Sequence, residues 1–234
     1  MRTVLVTGGT SNLGRAICRL YIQEGDQVTA TYAHNREGAL ALKRELGDRL
    51  TIEELDLLDE RSIISLFSRL GQLDVLVNNS GLFTLADQES LDASEWDRVF
   101  DTNVKGLFLV TRSALPLLKQ SPSGSIVNIA SINALHPGFG QTAHYDASKG
   151  AVVAYTKSLA AEVAPIRVNA VAPGLLDAPY LSDVDNPVRA MFESRALLRR
   201  MVKVEEVASS VVFLSHAEAI TGQTLVVDCG YLVG

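Results

Sequence analysis

Tyr145 and Lys149, four residues apart, are the pair in this chain best suited to moving a proton, and Ser131 lies fourteen residues before the tyrosine. If residues 145–163 form a helix, both side chains lie on one face and the ammonium can approach the phenol. A free phenol has a pKa of about 10, and a fixed positive charge nearby favours the phenolate and lowers that value. A serine hydroxyl can hold a substrate oxygen beside the phenol. These residue types therefore suit acid–base chemistry at a carbonyl or alcohol oxygen.

The same spacing also fits a solvated lysine packed over a tyrosine ring, so the elements around the pair must decide. Short apolar runs end at glycine or polar turns and alternate with stretches of helical spacing. The predicted strands cover residues 3–7, 28–32, 50–55, 73–77, 125–130, 166–171 and 224–227. Helices are predicted around residues 13–21, before residue 47, and over 63–70, 93–118 and 145–163. This alternation predicts one doubly wound α/β domain over residues 1–234, with about seven parallel strands covered on both faces.

The composition narrows the class of protein further. A chain of 234 residues with 47% hydrophobic content suits one fairly large folded domain. The net charge of −6 gives no electrostatic reason to expect nucleic acid or an anionic membrane as partner. We expect a cytoplasmic protein, because there is no signal-peptide pattern, no stretch of bilayer length and only two cysteines. The four histidines lack metal-ligand spacing, so no metal site is predicted.

A glycine-rich turn, TGGTSNLG over residues 7–14, lies between the first predicted strand and the first predicted helix. Glycines in such a turn permit positive φ and let the backbone approach a pyrophosphate, which then rests on the helix N-terminus. A tight β–α connection without a ligand is the alternative. The position after the chain's first strand favours nucleotide binding.

With this turn the chain resembles the short-chain dehydrogenase/reductase family, whose pattern is T-G-x-x-x-G-x-G. Gly8 and Gly14 match it, while Asn12 stands at the middle glycine. Asparagine tolerates a left-handed backbone, so we expect the turn to keep its shape. The resemblance covers nearly the whole chain. Further motifs match at Asp56, at residues 78–81 (NNSG, for the family's N-N-A-G) and at residues 173–174 (PG).

The resemblance implies a catalytic tetrad of Asn103, Ser131, Tyr145 and Lys149 and hydride transfer between a nicotinamide and a carbonyl or alcohol carbon. Tyr145 would be the general acid or base, and Ser131 would orient the substrate oxygen. Lys149 would lower the phenol's pKa and hold the nicotinamide ribose. Asn103 would hold a water that joins Lys149 to solvent. Asp56 would face the adenine.

The end of the second predicted strand bears on the choice of cofactor. A carboxylate there would bind the adenosine ribose and repel a 2′-phosphate, but residues 28–36 contain no acidic residue. Arg36 can pair with a phosphate, and Asn35 or His34 can donate to it, with Arg15 as a second candidate. NADP(H) is therefore preferred and NAD(H) remains possible, the alternative for Arg36 being an exposed helix residue. The predicted cofactor contacts are Gly8, Thr10, Ser11, Asn12, Leu13, Gly14, Asn35, Arg36, Asp56, Leu57, Asn79, Ser80, Gly81, Tyr145, Lys149, Pro173, Gly174 and Leu176.

Residues 175–201 break the regular alternation, and in the family this stretch covers the substrate. Its apolar residues, Tyr180, Met191 and Phe192 among them, suggest a partly apolar pocket. Its arginines, Arg189, Arg195, Arg199 and Arg200, suit either an acidic carrier protein or a solvated helix face. His136, Phe139 and His144 are further candidates to line the pocket. Two departures from the family are Ala178, where a threonine is common, and Cys229, where a glycine is common and a small buried residue is expected.

The resemblance is greatest to 3-oxoacyl-thioester (acyl-carrier-protein) reductases and related carbonyl reductases. We therefore expect a reductase of a 3-oxoacyl-type substrate or of a small ketone or aldehyde. The alternatives are an NAD(P)-dependent alcohol dehydrogenase working in oxidation and a nucleotide-sensing regulator without turnover. Relatives pair the helix that carries Tyr145 with a symmetry mate, so we also expect a homo-oligomer, either a tetramer or a dimer.

Overall fold

The sheet of the computed structural model, which describes residues 1–178 and 186–234, orders its strands β3-β2-β1-β4-β5-β6-β7. All neighbouring strands are parallel. The strands are β1 (Thr3–Val6), β2 (Gln27–Tyr32), β3 (Leu50–Glu54), β4 (Val75–Asn78), β5 (Ser125–Ile129), β6 (Arg167–Pro173) and β7 (Thr224–Val227). The doubly wound α/β fold predicted from the sequence is confirmed.

The central strands β1 and β4 are largely apolar because both of their faces are covered. In β1, Val4 and Val6 belong to one core cluster, together with buried residues of the first and last helices. Leu5, between them, belongs to the opposite cluster with Ile63 and Val110. Successive side chains of a strand point to opposite faces, so a strand buried on both sides loses the apolar–polar alternation of a half-exposed strand.

Helices connect the strands and pack on both faces of the sheet. They are α1 (Asn12–Gln23), α2 (Arg36–Leu46), α3 (Glu60–Arg69), α4 (Ala93–Phe100), α5 (Leu107–Leu118), α6 (Ala143–Glu162), α7 (Pro187–Arg195) and α8 (Val204–His216). α1 and α8 pack against each other on one face, whereas α3 and α5 pack together on the other. No helix among the described residues has both the length and the apolar character that crossing a membrane would require.

The helix predicted over residues 93–118 is one helical run with a π-helical segment, Asp101–Gly106, between α4 and α5. A π-helical turn widens the helix locally, and such turns are frequent at functional sites. Asn103 lies in this segment and is buried. The prediction was therefore right about helical structure and missed the change of pitch at a predicted tetrad residue.

The C-terminal part differs most from the sequence-based expectation. α8 was not predicted, although its buried residues recur at helical spacing and Glu206 accepts a hydrogen bond from the backbone N–H of Lys203 at its N-terminus. α7 lies inside residues 175–201, the stretch where the regular alternation was expected to break down into a substrate-covering segment of loops and helices. Tyr180, predicted to line the pocket, lies outside the described residues.

Candidate active site

The predicted site residues follow the carboxyl ends of different strands and so meet at one edge of the sheet. The strand order reverses between β1 and β4, and a crevice opens at such a switch point in parallel sheets. The glycine-rich turn follows β1, and residues 79–81 follow β4. Ser131 follows β5, and Gly174 follows β6. The fold therefore brings together motifs spread over most of the sequence.

The turn after β1 is held rigidly against its neighbours. Ser11 caps α1 by accepting a hydrogen bond from the Gly14 N–H at 3.0 Å. The Asn79 Nδ2 donates to the carbonyls of Thr7 and Gly8, at 2.9 and 3.0 Å. A side chain at Gly14 would place a Cβ 2.3 Å from the Gly8 carbonyl oxygen, so the close packing of helix and turn requires glycine there. The ordered turn presents the N-terminus of α1 to the crevice.

Asn12 does not need the left-handed backbone that the sequence analysis assigned to it. It is the first residue of α1, is exposed, and does not belong to the residues with positive φ. Gly8, with φ of +61°, provides the left-handed conformation in this turn. The turn keeps its shape because the middle position has become the first helical residue, and the expected mechanism was wrong.

These features fit the diphosphate of a nicotinamide dinucleotide. The first N–H groups of a helix, here those of Asn12 and Leu13, have no intrahelical acceptor and favour an anion. Thr10 and Ser11 border the same helix end. Glycine at positions 8 and 14 lets the backbone come close to a phosphate.

Lys149 carries a buried ammonium beside the loop after β4. Its side chain is 5% exposed, and its Nζ donates to the Ile129 carbonyl at 2.8 Å. A Cβ added to Gly81 would lie 3.3 Å from this Nζ and 3.4 Å from the Asn103 Oδ1, so the loop after β4 packs directly on both groups. Burial lowers the pKa of Lys149 from 10.5 to about 8. The ammonium is therefore easier to deprotonate than that of an exposed lysine.

Tyr145 lies one helical turn before Lys149 on α6, as predicted. The Lys149 Nζ is 5.8 Å from the centre of the Tyr145 ring. The ring of Phe83 meets the Tyr145 ring edge-on, with centroids 4.8 Å apart. Tyr145 is half-buried, so the phenol sits between the lysine and an apolar side chain.

The Asn103 side chain holds the loop after β4 in place. Its Oδ1 accepts from the Leu82 N–H at 2.7 Å, and its Nδ2 donates to the Leu82 carbonyl at 2.9 Å. The Nδ2 also donates to the Ser148 hydroxyl at 2.9 Å, and this hydroxyl donates to the Tyr145 carbonyl. Both amide hydrogens are therefore used within the protein. A water that joins Lys149 to solvent would therefore have to bind the remaining lone pair of the Asn103 Oδ1 or the backbone carbonyl of Asn103.

Ser131 begins the loop between β5 and α6. Its hydroxyl oxygen accepts from the Asn133 N–H at 3.1 Å. It lies two residues after Ile129, whose carbonyl binds Lys149. The Asn133 Nδ2 donates in turn to the Asp146 carboxylate at 2.7 Å. The serine is thus connected to the helix of Tyr145 through the loop and through strand β5.

The end of β2 carries the residues expected to select the cofactor. Asn35 caps α2 by accepting from the Gly38 N–H at 2.8 Å, and Arg36 is the first residue of that helix and is exposed. The Arg15 guanidinium donates to the carbonyls of Thr10 and Gly38, at 3.0 and 3.1 Å. Arg15 therefore braces the glycine-rich turn against α2, whereas Arg36 faces solvent.

The remaining predicted contacts lie at the same edge of the sheet. The Asp56 carboxylate accepts from the Leu58 N–H at 2.8 Å, and Leu57 packs against Gly106 at the end of the π-helical segment. Pro173 ends β6, the Gly174 N–H donates to the Val227 carbonyl at 2.9 Å, and Leu176 forms a bridge with Val202.

The residues proposed to line a pocket have different environments. His144 is 0% exposed, and its Nε2 lies 2.8 Å from the Thr84 hydroxyl, so it belongs to the interior. Phe192 is 3% exposed and stacks on Tyr231 with centroids 4.6 Å apart, so it is a core residue as well. Phe139, in contrast, is 39% exposed.

His136 and Met191 complete that set. The His136 Nδ1 lies 2.7 Å from the Pro137 carbonyl. Its Nε2 lies 3.0 Å from the Arg195 Nη2, so the ring joins the loop after Ser131 to the end of α7. Met191 is partly exposed on α7. Of the proposed lining residues that the structure describes, Phe139 and Met191 keep substantial apolar surface outside the core.

The two departures from the family pattern also have structural settings. Ala178 is buried. Cys229 has φ of +56°, a left-handed conformation that explains why glycine is common there. Its thiol lies 3.7 Å from the Met201 carbonyl, and burial raises its pKa. Cys229 is half-buried, which is less than the burial expected from the sequence, and its raised pKa disfavours the reactive thiolate.

Two residues that touch the site were missed from sequence. Phe83 lies directly against Tyr145, and its signal was its position two residues after the NNSG motif. Asp146 follows Tyr145 and binds the loop of Ser131, and an acidic residue in the first turn of a predicted helix was the available signal. Among the described residues, no group of three or more His, Cys, Asp or Glu could hold a metal ion.

Known proteins resemble this chain over almost its full length. A family model described as enoyl-(acyl carrier protein) reductase matches residues 8–232. Cyclopentanol dehydrogenase of Comamonas sp. is 37% identical over 98% of this chain and 96% of its own. The 3-oxoacyl-[acyl-carrier-protein] reductase of Thermotoga maritima is 34% identical over 99% of this chain and 98% of its own.

A solved structure shows the same fold. The 3-ketoacyl-(acyl-carrier-protein) reductase of Brucella melitensis, complexed with NADH, has a TM-score of 0.90 and 31% identity, covering 99% of this chain and 98% of the other. Together with the family model and the curated relatives, this match confirms the resemblance drawn from the motifs. The chain belongs to the short-chain dehydrogenase/reductase family of NAD(P)-dependent oxidoreductases.

Proposed function

We propose that this protein is an NADP(H)-dependent carbonyl reductase acting on a small apolar ketone or aldehyde, with Tyr145 as general acid. The observation that carries the proposal is the buried Lys149 ammonium beside the Tyr145 ring, at the edge of the sheet where Gly81 packs closely on the ammonium. When bound, the nicotinamide supplies the hydride in reduction or accepts it in oxidation. The protein must then deliver or remove one proton at the substrate oxygen.

The charge on Lys149 favours a phenolate at Tyr145 and so eases proton transfer near neutral pH. Because the lysine pKa is about 8, its ammonium can also pass a proton on. Ser131 would hydrogen-bond the substrate oxygen and polarise it. Asn103 holds the Leu82 backbone and, through Ser148, the Tyr145 carbonyl, so it fixes the loop after β4 relative to the tyrosine.

The preference for NADP(H) rests on Arg36. Its side chain is exposed at the first position of α2, directly after the strand end where a 2′-phosphate would lie. The nearest following carboxylate, Glu37, is exposed in the same helical turn. Arg15 is less suited to the phosphate because its guanidinium already donates to two backbone carbonyls.

The arginines of residues 187–201 have partners within the chain, which disfavours an acidic carrier protein as the substrate's bearer. Arg189 pairs with Glu193 at 3.0 Å. Both terminal nitrogens of Arg200 donate to the Glu206 carboxylate, at 2.8 and 2.6 Å. Arg195 lies over the Tyr231 ring at 4.6 Å, and Arg199 donates to the Ser194 carbonyl. A carrier would have to replace these contacts.

Apolar surface beside Tyr145 supports a small apolar substrate instead. Phe83 is 47% exposed although its ring lies against the catalytic candidate, and Phe139 lies 6.4 Å from it. Leu85 and Leu135 are exposed in the same two loops. Exposed apolar side chains grouped beside reactive groups are typical of a binding site.

Oxidation of a secondary alcohol is the second candidate function. It is favoured by the identity of 37% with a relative named cyclopentanol dehydrogenase, whose named substrate is also small and apolar. The same residues serve both directions, with Tyr145 as base instead of acid.

The expected homo-oligomer, a tetramer or a dimer, remains a prediction. Part of α6 is accessible at Ala147, Ala151 and Ala154, where a second copy could pack.

Replacing Tyr145 by phenylalanine should lower kcat for ketone reduction by about 10²–10⁴-fold, because the proton donor is lost. The Kd of NADPH should stay within about twofold, since the ring remains. Tyr155→Phe, on the same helix, is the matched control and should keep its activity. Near-normal turnover in Tyr145→Phe would refute the acid role, and cofactor binding without turnover in the wild type would favour the nucleotide sensor.

Replacing Lys149 by methionine should stabilise the cofactor-free protein at pH 7 while abolishing activity. The lysine pKa is lower in the folded state than in the unfolded state. Burial of the charged lysine therefore lowers the free energy of unfolding by its full amount below pH 8, and the effect disappears above the unfolded pKa of 10.5. The burial of the charge costs about 3 kcal/mol in the free energy of unfolding. Methionine removes this cost but also loses the hydrogen bond to Ile129, which is worth about 1 kcal/mol.

Urea unfolding at several pH values checks this expectation. The gain of Lys149→Met over wild type should be about 2 kcal/mol at pH 7 and vanish as the pH rises towards 10. Lys157→Met, an exposed change on the same helix, should show no such trend. A difference for Lys149→Met that does not vary with pH would contradict the buried charge.

Replacing Arg36 by alanine should raise the Kd of NADPH about tenfold, the loss of one charge-assisted phosphate contact, and leave the Kd of NADH within twofold. Nicotinamide fluorescence on binding measures both constants. Arg44→Ala, an exposed arginine later in α2, should change neither. Tighter binding of NADH by the wild type would overturn the preference and place the oxidative function first.

Replacing Phe83 by alanine should lower kcat/KM for cyclohexanone about tenfold, because part of the substrate's apolar surface would stay in water. The value for acetone should fall by less than threefold, since acetone is too small to cover the ring. Phe108→Ala, an exposed phenylalanine on α5, serves as the control. Equal losses for both ketones would show that Phe83 does not select for apolar size.

A further inference from the structure

The carboxylate of Asp146, the residue after Tyr145, is surrounded by hydrogen-bond donors from the loop that begins at Ser131. Its Oδ1 accepts from the Asn133 Nδ2 at 2.7 Å. Its Oδ2 accepts from the Gly138 N–H and from the Thr142 hydroxyl, both at 3.0 Å. One side chain on α6 thus holds the loop at three separate points.

The loop packs closely around this carboxylate at Gly138, although Asp146 itself is half-buried. A Cβ at Gly138 would lie 2.4 Å from the Thr142 Oγ1, 2.5 Å from the Asn133 Nδ2 and 3.2 Å from Asp146 Oδ2. Thr142 is buried, and its carbonyl accepts from the Asp146 N–H at 2.8 Å. The observed arrangement therefore uses a carboxylate whose two oxygens both accept hydrogen bonds.

The cluster is connected to the proposed catalytic serine through one residue. The Asn133 side chain binds Asp146, and the Asn133 backbone N–H donates to the Ser131 hydroxyl oxygen at 3.1 Å. We propose that Asp146 is a positioning residue that sets the Ser131 hydroxyl relative to the Tyr145 phenol. The inference rests on the proposed function, in which Ser131 binds the substrate oxygen.

A purely structural role for Asp146 predicts a different outcome. A carboxylate in the first turn of a helix stabilises that helix, and its loss would lower stability without a specific effect on turnover. If Asp146 acts through Ser131, its loss lowers kcat while cofactor binding is kept. In a Ser131→Ala background, where the serine hydroxyl is absent, the loss of Asp146 then has no further effect on kcat.

The test is a double-mutant cycle of Asp146→Asn and Ser131→Ala, with ketone reduction, NADPH binding and thermal unfolding measured for each variant. Asparagine keeps the size of the side chain but turns an NH₂ group towards donors. We expect kcat to fall about tenfold or more in Asp146→Asn, with the Kd of NADPH within twofold. The double variant should be no slower than Ser131→Ala. Asp97→Asn, an exposed carboxylate on α4, is the matched control and should behave as wild type.

The possible failures are distinguishable. If Ser131→Ala keeps wild-type turnover, the proposed function fails. If Ser131→Ala is impaired but Asp146→Asn is not, the positioning role is overturned. An equal loss from Asp146→Asn in both backgrounds also overturns it, because Asp146 would then act independently of the serine. Should Asp146→Asn not fold or Ser131→Ala be too slow, Asn133→Ala alone removes the link and should give the same loss of kcat with unchanged NADPH binding.

Discussion

Burying the ammonium of Lys149 costs free energy, because a charge loses its hydration when it enters the interior of a protein. The surrounding structure compensates in part with one hydrogen bond, to the Ile129 carbonyl at 2.8 Å. That bond ties α6 to the end of β5 and so determines where Tyr145 lies above the sheet. The same burial lowers the lysine pKa to about 8, so the ammonium gives up its proton more easily than an exposed lysine would. A local loss of stability thus accompanies the proposed chemistry.

A buried network of hydrogen-bonded polar side chains supports the position of α6 on the sheet. The Asn78 Nδ2 donates to the Thr111 hydroxyl at 3.0 Å and to the Asn128 Oδ1 at 2.8 Å. The Asn128 Nδ2 donates to the Thr156 hydroxyl at 2.9 Å. This network joins β4, β5, α5 and α6 close to the loops that carry the site. Hydrogen bonds are directional, whereas apolar contacts are not, so these bonds specify one relative position of strands and helices.

Several expectations failed where a residue's neighbours, and not its own type, decided the outcome. Asn12 was assigned a left-handed backbone because of its type, but the helix starts at that residue. The helical run over residues 93–118 was predicted, whereas the π-helical segment at Asn103 was not, since six residues are too few to show a separate period. Phe192 was assigned to the pocket as an aromatic residue of a loop-like stretch, but stacking on Tyr231 makes it part of the core.

The sequence by itself determined the doubly wound fold, the family, and which motifs meet at the carboxyl ends of the strands. These follow from strand and helix periodicity and from short motifs, which depend on residues close together in the chain. Only the tertiary structure decided which polar groups are already engaged: Asn103 with Leu82, Arg200 with Glu206, and Asp146 with the loop after β5. Such partnerships depend on the packing of loops and helix ends, whose distances and angles no local pattern encodes.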